Sequence, residues 1–487
     1  MHRAHSSTRG LLGAWAVSLV AIALVAVPAL AGARPQPARA FYGANIQSML
    51  TYDYVPESRW GQFIATMARD GLRTARMDAV WWWAEPTAPT AAGPTYVWNN
   101  PKQRVSMDHL VGLLAAHGVR LSAVLDQPPP WAQSADTQLL PSAYGDFAAF
   151  AGAFAARYGA HGSFWREHRK LPYLPVRDFE VWDEANSDLF WTGTSDPVAY
   201  ASVLEQVSSA IHAVDPSGQV LASIGWEGAQ QYVSALYAAG AGKYIDGIGF
   251  HPYAPDALGI IELNQELRAT LDGAGAGATP IYDTEAGQPV VTAGPGAAFA
   301  YDGEVSDAAR AATQALAGDA LARSNCGVDD YLIFGLTGSG TALEPRSEGY
   351  MGIFSPSSDK PNATGTALIA AQQRLREDPS GRIALCGGTT PQRALLPLQV
   401  SLSRPGPTCV AARISYHGDP LEGADIVLRT RDGRVAPAAT NAFGETQMCL
   451  QNGPFVKQFT ADAEIPNVAR SATYVCPVSA GACRRAR

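Results

Sequence analysis

The sequence predicts an α/β fold, a (β/α)8 TIM barrel followed by a small C-terminal all-β sandwich. Three observations carry this prediction. Apolar, β-branched runs recur eight times between residues 41 and about 385, separated mostly by helical periodicity. Two of these runs end in an acidic motif, FEVWDEAN at 179–186 and PIYDTEAG at 280–287. After about residue 395 the texture changes to short alternating runs punctuated by Gly, Pro and Asp-Gly.

The barrel strands are read from runs starting at Phe41, Leu72, Val119, Phe179, Val220, Ile245, Ile281 and Tyr331. The intervening helices carry ordinary signals. Trp60, Phe63, Ile64 and Met67 share one face, behind Ser58 as a candidate N-cap and before Gly71 as a stop. Asp196-Pro197 offers a cap and a first-turn proline ahead of Tyr200, Val203, Leu204, Val207 and Ile211. Phe147, Phe150, Phe154 and Tyr158 form a stripe that reads as packing. Of the consecutive Trp81, Trp82 and Trp83, at least one must face away from any cleft. Runs such as VSLSR, CVAARISY, ADIVLRT and ETQMCL make up the C-terminal region, long enough for a sandwich and too short for a barrel. The resulting division is a signal segment at 1–33, a barrel at 41–390 and a sandwich at 395–487.

Composition limits the function. The chain of 487 residues is 47% hydrophobic and 16% charged, which supports large buried cores and argues against disorder. A formal charge of −8 with no long basic run speaks against a nucleic-acid partner. Arg3 and Arg9, the apolar stretch from Leu11 to Val27, then Pro28 and small residues read as a secretion signal, with an uncleaved membrane anchor as the alternative. Six cysteines in an exported chain suggest disulfides. They allow fifteen pairings, of which the most economical is Cys326–Cys386, Cys409–Cys449 and Cys476–Cys483. None has metal-ligand spacing, so no metal or other cofactor is expected.

The acidic motifs carry the chemistry. Glu184 and Glu285 each follow an apolar strand, and strand ends at one mouth of a parallel barrel are where catalytic groups gather. Barrels of about 250 residues use roughly 31 per unit. Glu184 and Glu285, 101 positions apart, are therefore expected at the ends of strands four and seven. Two carboxyl groups facing each other across a cleft are the machinery of glycoside hydrolysis. For Arg76 and His251, also at strand ends, the plain alternatives are a structural ion pair and a hydrogen-bonded core histidine.

These motifs resemble clan A glycoside hydrolases, especially family 39 and the related family 5 cellulase-like barrels, over residues 41 to about 375. The resemblance implies that Glu184 is the acid/base residue, matching W-N-E-P or N-E-x-N on strand four. It implies that Glu285, in DTEAG, is the nucleophile ending strand seven. RTARMDAVWWWAEP at 73–86 resembles the strand-two element, in which Arg76 holds the nucleophile. PPPWA at 128–132 resembles the strand-three loop with a subsite tryptophan, Trp131, while GIGFHPY at 247–253 brings His251 and Tyr253 to the sugar or nucleophile. MGIF at 351–354 followed by KPNAT at 360–364 resembles the segment after strand eight. Trp226 is a further candidate for lining a subsite. One position departs from the pattern. Where the family has Asn before the acid/base residue, donating to the 2-substituent of the sugar, this chain has Asp183, whose ionised carboxylate only accepts hydrogen bonds.

GDPLEGADIVLRTRDG followed by TNAFGETQMCL resembles carboxypeptidase-regulatory-like sandwiches, which space or tether. The expectation is a secreted, monomeric retaining glycosidase acting on a polysaccharide or exopolysaccharide, with association with a cell wall. The competing class is a non-catalytic glycan-binding or adhesion protein on a degenerate barrel. No G-x-S-x-G elbow supports an esterase.

Overall fold

Eight short parallel strands close on themselves: β1 (Tyr42–Asn45), β2 (Thr74–Val80), β3 (Arg120–Asp126), β4 (Asp178–Val181), β5 (Gln219–Gly225), β6 (Gly247–His251), β7 (Ile281–Ala286) and β8 (Val328–Phe334). Closure is made by β1 on β8, with Tyr42 opposite Tyr331 and Asn45 opposite Phe334. This is a computed structural model. It describes residues 40–486 apart from 52, 101–102, 104, 135–138, 192–193, 291–305, 340–346, 380–382, 388–394, 434, 451–456 and 479–480. The expected secretion signal lies outside the described residues.

Each strand is followed by a helix of ten residues or more: α1 (Trp60–Arg69), α2 (Met107–Ala116), α3 (Tyr144–Tyr158), α4 (Pro197–Val214), α5 (Ala229–Ala238), α6 (Ala257–Gly273), α7 (Asp307–Ala322) and α8 (Ala363–Glu377). The eight-unit barrel is therefore present. On α4 the Asp196 side chain accepts from the backbone N–H groups of Val198 and Ala199, as an N-cap should. At α1 the chain first makes a 3-10 turn over Glu57–Arg59, so Ser58 caps nothing, while Gly71 stops the helix at φ +97°. The aromatic stripe of α3 is packing: Phe147 meets Trp182 edge-on and Phe154 meets Phe179 in the same way. Trp81 is buried and Trp82 is exposed.

The barrel interior is polar on one side of several strands. Arg76 and Asp78 on β2, Glu180 on β4, Ser223 on β5 and His251 on β6 are all buried. Two irregularities re-aim the chain at the functional end. The β7–β8 register slips between Asp283 and Ala286, a bulge that breaks the in–out alternation. Thr284 and Glu285, neighbours in sequence, both point inward: Thr284 donates to Glu180, and Glu285 accepts from Arg76. After β4, Trp182 and Glu184 take left-handed φ values of +68° and +40°. Non-glycine residues seldom adopt these, and such backbone gathers at functional sites.

The C-terminal region is strand-rich. One sheet joins β10 (Gln399–Gly406), β11 (Cys409–Tyr416), β12 (Asp419–Pro420) and β15 (Glu445–Cys449). A second contains β9 (Leu396–Pro397), β13 (Asp425–Arg429), β14 (Val435–Ala439), β16 (Gln458–Ile465), β17 (Ala469–Arg470), β18 (Tyr474–Pro477) and β19 (Arg484–Arg485). Alternation gives the buried faces, with Val410, Ala412, Ile414 and Tyr416 on β11 and Phe459, Ala461, Ala463 and Ile465 on β16. All three cysteine pairs form as expected. The Cys326–Cys386 bridge straps the segment beyond α8 to the start of β8, closing 60 residues, worth about 4 kcal/mol in the chain-entropy model.

Candidate active site

Arg76 organises the mouth of the barrel. It rises from β2, almost wholly buried, and its planar fork reaches three carboxylates at once. Nε donates to Glu180 Oε2 at 2.7 Å, Nη2 to Asp183 Oδ1 at 3.0 Å and to Glu180 Oε1 at 3.2 Å, and Nη1 to Glu285 Oε1. A lysine could not span these, because only guanidinium presents donors in a rigid fork. Glu285 is fixed from its other side by Tyr253, whose hydroxyl donates to Oε2 at 2.7 Å.

His251 stands between the two expected catalytic residues. Its Nδ1 lies 2.8 Å from Glu184 Oε1 and 3.6 Å from Glu285 Oε2. Those two carboxylate oxygens are therefore separated by no more than the two distances together, about 6.4 Å. Both glutamates retain contact with the opening, their side chains being 18% and 10% exposed. Glu184 is positioned by its backbone N–H, which donates to Ser223 Oγ at 3.1 Å. Two residues on, Asn186 clamps Gly225 through both its amide oxygen and nitrogen.

Six carboxyl groups crowd this mouth: Asp78, Asp126, Glu180, Asp183, Glu184 and Glu285. Arg76 and His251 are the basic groups they meet. Burial would raise Glu180, but the Arg76 guanidinium and the His251 hydrogen bond hold it well below the usual glutamate range. Burial pushes Asp183 up to about 7, with Glu285 and Glu184 adding and Arg76 opposing. Burial likewise pushes Asp78 up to about 7, with Asp183 adding, and carries Asp126 well above its ordinary value with Asp78 adding. Burial alone would lower the imidazole of His251, yet Glu285, Glu180 and Glu184 hold it well above its ordinary value.

One trio resembles a metal site. The ligand atoms of Glu180, Asp183 and His251 lie within 4.8 Å of one another. Arg76 Nη2, however, is 3.2, 3.0 and 3.3 Å from Glu180 Oε1, Asp183 Oδ1 and His251 Nε2. A guanidinium nitrogen already stands where an ion would sit, so these residues do not fit a metal.

Glu184, Glu285, Arg76, Asp183, His251 and Tyr253 are all brought together. Trp226, just beyond β5, joins Tyr253, Phe334 and Met351 in an apolar patch beside Glu285. Trp131 is placed differently. On the loop after β3 its indole donates to the Glu85 carbonyl and packs edge-on against Trp81, and it makes no hydrogen bond to the carboxylate group. Sequence reasoning missed Glu180, Asp78, Asp126, Ser223 and Thr284. The available signal was a polar residue at every second position inside an apolar strand, as in Arg76–Asp78.

No protein-family model matches the chain and no curated protein matches it in sequence. Solved structures do match in fold. A monomeric beta-xylosidase from Caulobacter crescentus CB15 aligns at 18% identity and TM-score 0.50, over 80% of this chain and 81% of that one. A glucosidase from Croceicoccus marinus aligns at 15% identity and TM-score 0.47, over 84% and 93%. An alpha-L-arabinofuranosidase from Thermotoga maritima aligns at 11% identity and TM-score 0.47, over 85% and 94%. At such identity the first likeness supports the barrel fold, and the site rests on its own geometry.

Proposed function

We propose that this protein is a secreted retaining glycoside hydrolase, divided into a signal segment at 1–33, a catalytic barrel at 41–390 and an accessory β-sandwich at 395–487 that spaces or tethers it at a cell wall. One observation carries the reading: Glu184 Oε1 and Glu285 Oε2 face a common point beside His251 and lie no more than about 6.4 Å apart. Retaining pairs stand about 5–5.5 Å apart and inverting pairs about 6.5–9.5 Å. The bound admits a retaining pair.

In this cycle Glu184 gives its proton to the departing glycosidic oxygen while Glu285 attacks the anomeric carbon, forming a glycosyl-enzyme. Glu184 then takes a proton from water as the water displaces Glu285. Arg76 and Tyr253 aim the nucleophile, and His251 holds Glu184 in reach of both steps. The indole of Trp226 and the exposed rings of Trp82 and Phe190, in the segments that follow β5, β2 and β4, offer stacking surfaces for flanking sugars. Three disulfides support export. A polysaccharide or exopolysaccharide is the substrate class, with the protein acting as a monomer.

The test is turnover on a polysaccharide panel with product masses read out, alongside Glu184→Gln and Glu285→Gln, and proton NMR of the anomer first formed. The expected outcome is hydrolysis with retention that falls at least about 10³-fold in Glu285→Gln, the scale of losing one essential group. Glycan binding without turnover, unchanged in Glu285→Gln, would establish the non-catalytic alternative instead.

A further inference from the structure

Arg310, on the first turn of α7, is wholly buried and takes no part in the proposed cycle. A buried guanidinium is costly unless its donors are met. Here they are met chiefly by backbone carbonyls of segments that frame Glu285. Nη1 donates to the carbonyls of Gln288 at 3.1 Å, Tyr350 at 3.3 Å and Met351 at 2.9 Å. Nη2 donates to the Gly352 carbonyl and to Asp307 Oδ1, both at 2.9 Å, and Nε to Thr364 Oγ1 at 2.8 Å.

These partners belong to separate parts of the barrel mouth. Gln288 follows Glu285 beyond β7, residues 350–352 lie beyond β8, and Thr364 opens α8. Gln288 carries the link further. Buried itself, it donates through Nε2 to the Pro255 carbonyl, beyond β6, and its Oε1 accepts from Gln314 at 3.4 Å. The segments after β6, β7 and β8 are thereby joined through one guanidinium. They hold what surrounds the nucleophile. Tyr253, just before Pro255 in the chain, donates to Glu285 Oε2 at 2.7 Å, and Met351 packs with Tyr253, Phe334 and Trp226.

We infer that Arg310 is a positioning residue of the catalytic end, holding Met351 directly and the Tyr253 segment through Gln288, and so keeping Glu285 aimed. The effect on rate rests on the glycosidase reading; the clamp itself does not. With no exposed surface, Arg310 cannot touch a substrate and acts only through these neighbours. Lysine would keep the charge, but its donors sit on one nitrogen and cannot span carbonyls of separate segments as a planar fork does.

The full-length protein is compared with Arg310→Lys and with Gln288→Leu, a milder change that removes one side-chain arm and leaves the Gln288 carbonyl on Arg310. Hydrogen–deuterium exchange is read on peptides covering 253–256, 286–290 and 350–354. In Arg310→Lys all three should exchange faster together, with β2 to β5 unchanged, whereas in Gln288→Leu the last should keep its protection. Kinetics use a glycan that the polysaccharide panel shows to be hydrolysed. In Arg310→Lys kcat should fall at least about tenfold with KM little changed, since about 1 Å of misplacement can cost about 100-fold. Tyr253→Phe should cost at least about threefold less in either variant than in the unsubstituted protein, because groups that act together do not add. A residue serving stability alone would leave that cost unchanged. Unchanged kcat, a fully additive Tyr253→Phe loss, or faster exchange confined to 350–354 in Arg310→Lys overturns the inference and leaves the glycosidase reading intact. If Arg310→Lys does not fold, additivity in Gln288→Leu decides. No turnover by the unsubstituted protein removes the glycosidase reading; joint exchange of the three segments then sustains the clamp, and independent exchange overturns it.

Discussion

At the scale of single residues, the carboxyl groups crowded at the barrel mouth make stability depend on pH in a definite direction. Asp78 and Asp183 ionise near 3.8 when unfolded and hold their protons to about 7 when folded. Their contribution is full below about pH 3.8 and is lost as pH climbs through about 7. Asp126 and His251, both raised, act in the same sense, stabilising at low pH and fading as pH passes their folded values. Glu180 has the opposite sign: its contribution is present above its ordinary 4.5 and is lost only when pH falls through its depressed value. The melting temperature is therefore expected to fall between pH 5 and pH 8. Asp78→Asn should flatten that fall by more than one group's share, because Asp78 also raises Asp126. Thermal melts at half-unit pH steps decide it, and a flat or rising profile in the unsubstituted protein would contradict the argument.

At the scale of elements, the position of Glu184 depends on a glycine of the neighbouring strand. A Cβ at Gly225, the last residue of β5, would lie 2.8 Å from the Glu184 Cδ and 3.0 Å from both carboxylate oxygens. The obstructed atoms end a side chain, so Gly225→Ala should leave the fold in place and move the carboxylate. A displacement of about 1 Å can cost about 100-fold in rate. Turnover is expected to fall by that order with a melting temperature little changed, and equal turnover would show that Glu184 tolerates the shift. Strand order and the two glutamates were legible because apolar runs and terminal carboxylates are local signals. Even the offsets have causes: β8 begins at Val328, but Asp329 and Asp330 interrupt its apolar run, so the sequence signal starts only at Tyr331. The bulge at Thr284–Glu285 and the left-handed turns at Trp182 and Glu184 were not legible, since each answers to contacts across the barrel. Glu180 was hidden for the same reason. Its role comes from Arg76, 104 positions away.

At the scale of the whole molecule, one buried carboxylate ties the barrel to the C-terminal sheets. Asp319 on α7, 1% exposed, accepts from Arg374 on α8 at 2.6 Å, Arg323 at 3.2 Å and the Tyr416 hydroxyl on β11 at 2.8 Å. The described residues accordingly fall within one compact unit. Tyr416→Phe removes a hydrogen bond to a charged acceptor and should cost about 1.5–3 kcal/mol. Asp319→Ala should cost more, about 3–5 kcal/mol, because it strands a hydroxyl and two guanidinium groups that lose their partner. Arg374 keeps some access to water, which places the loss toward the lower end. The two effects should not add: with Asp319 gone, Tyr416→Phe has nothing left to break. Denaturant unfolding of the two single variants and the double variant measures this. Coupling of at least about 1 kcal/mol, with the single transition broadening or splitting in Asp319→Ala, is expected if this carboxylate holds the sheets to the barrel. Strict additivity would mean that apolar contact between α7 and the sheets does so without it.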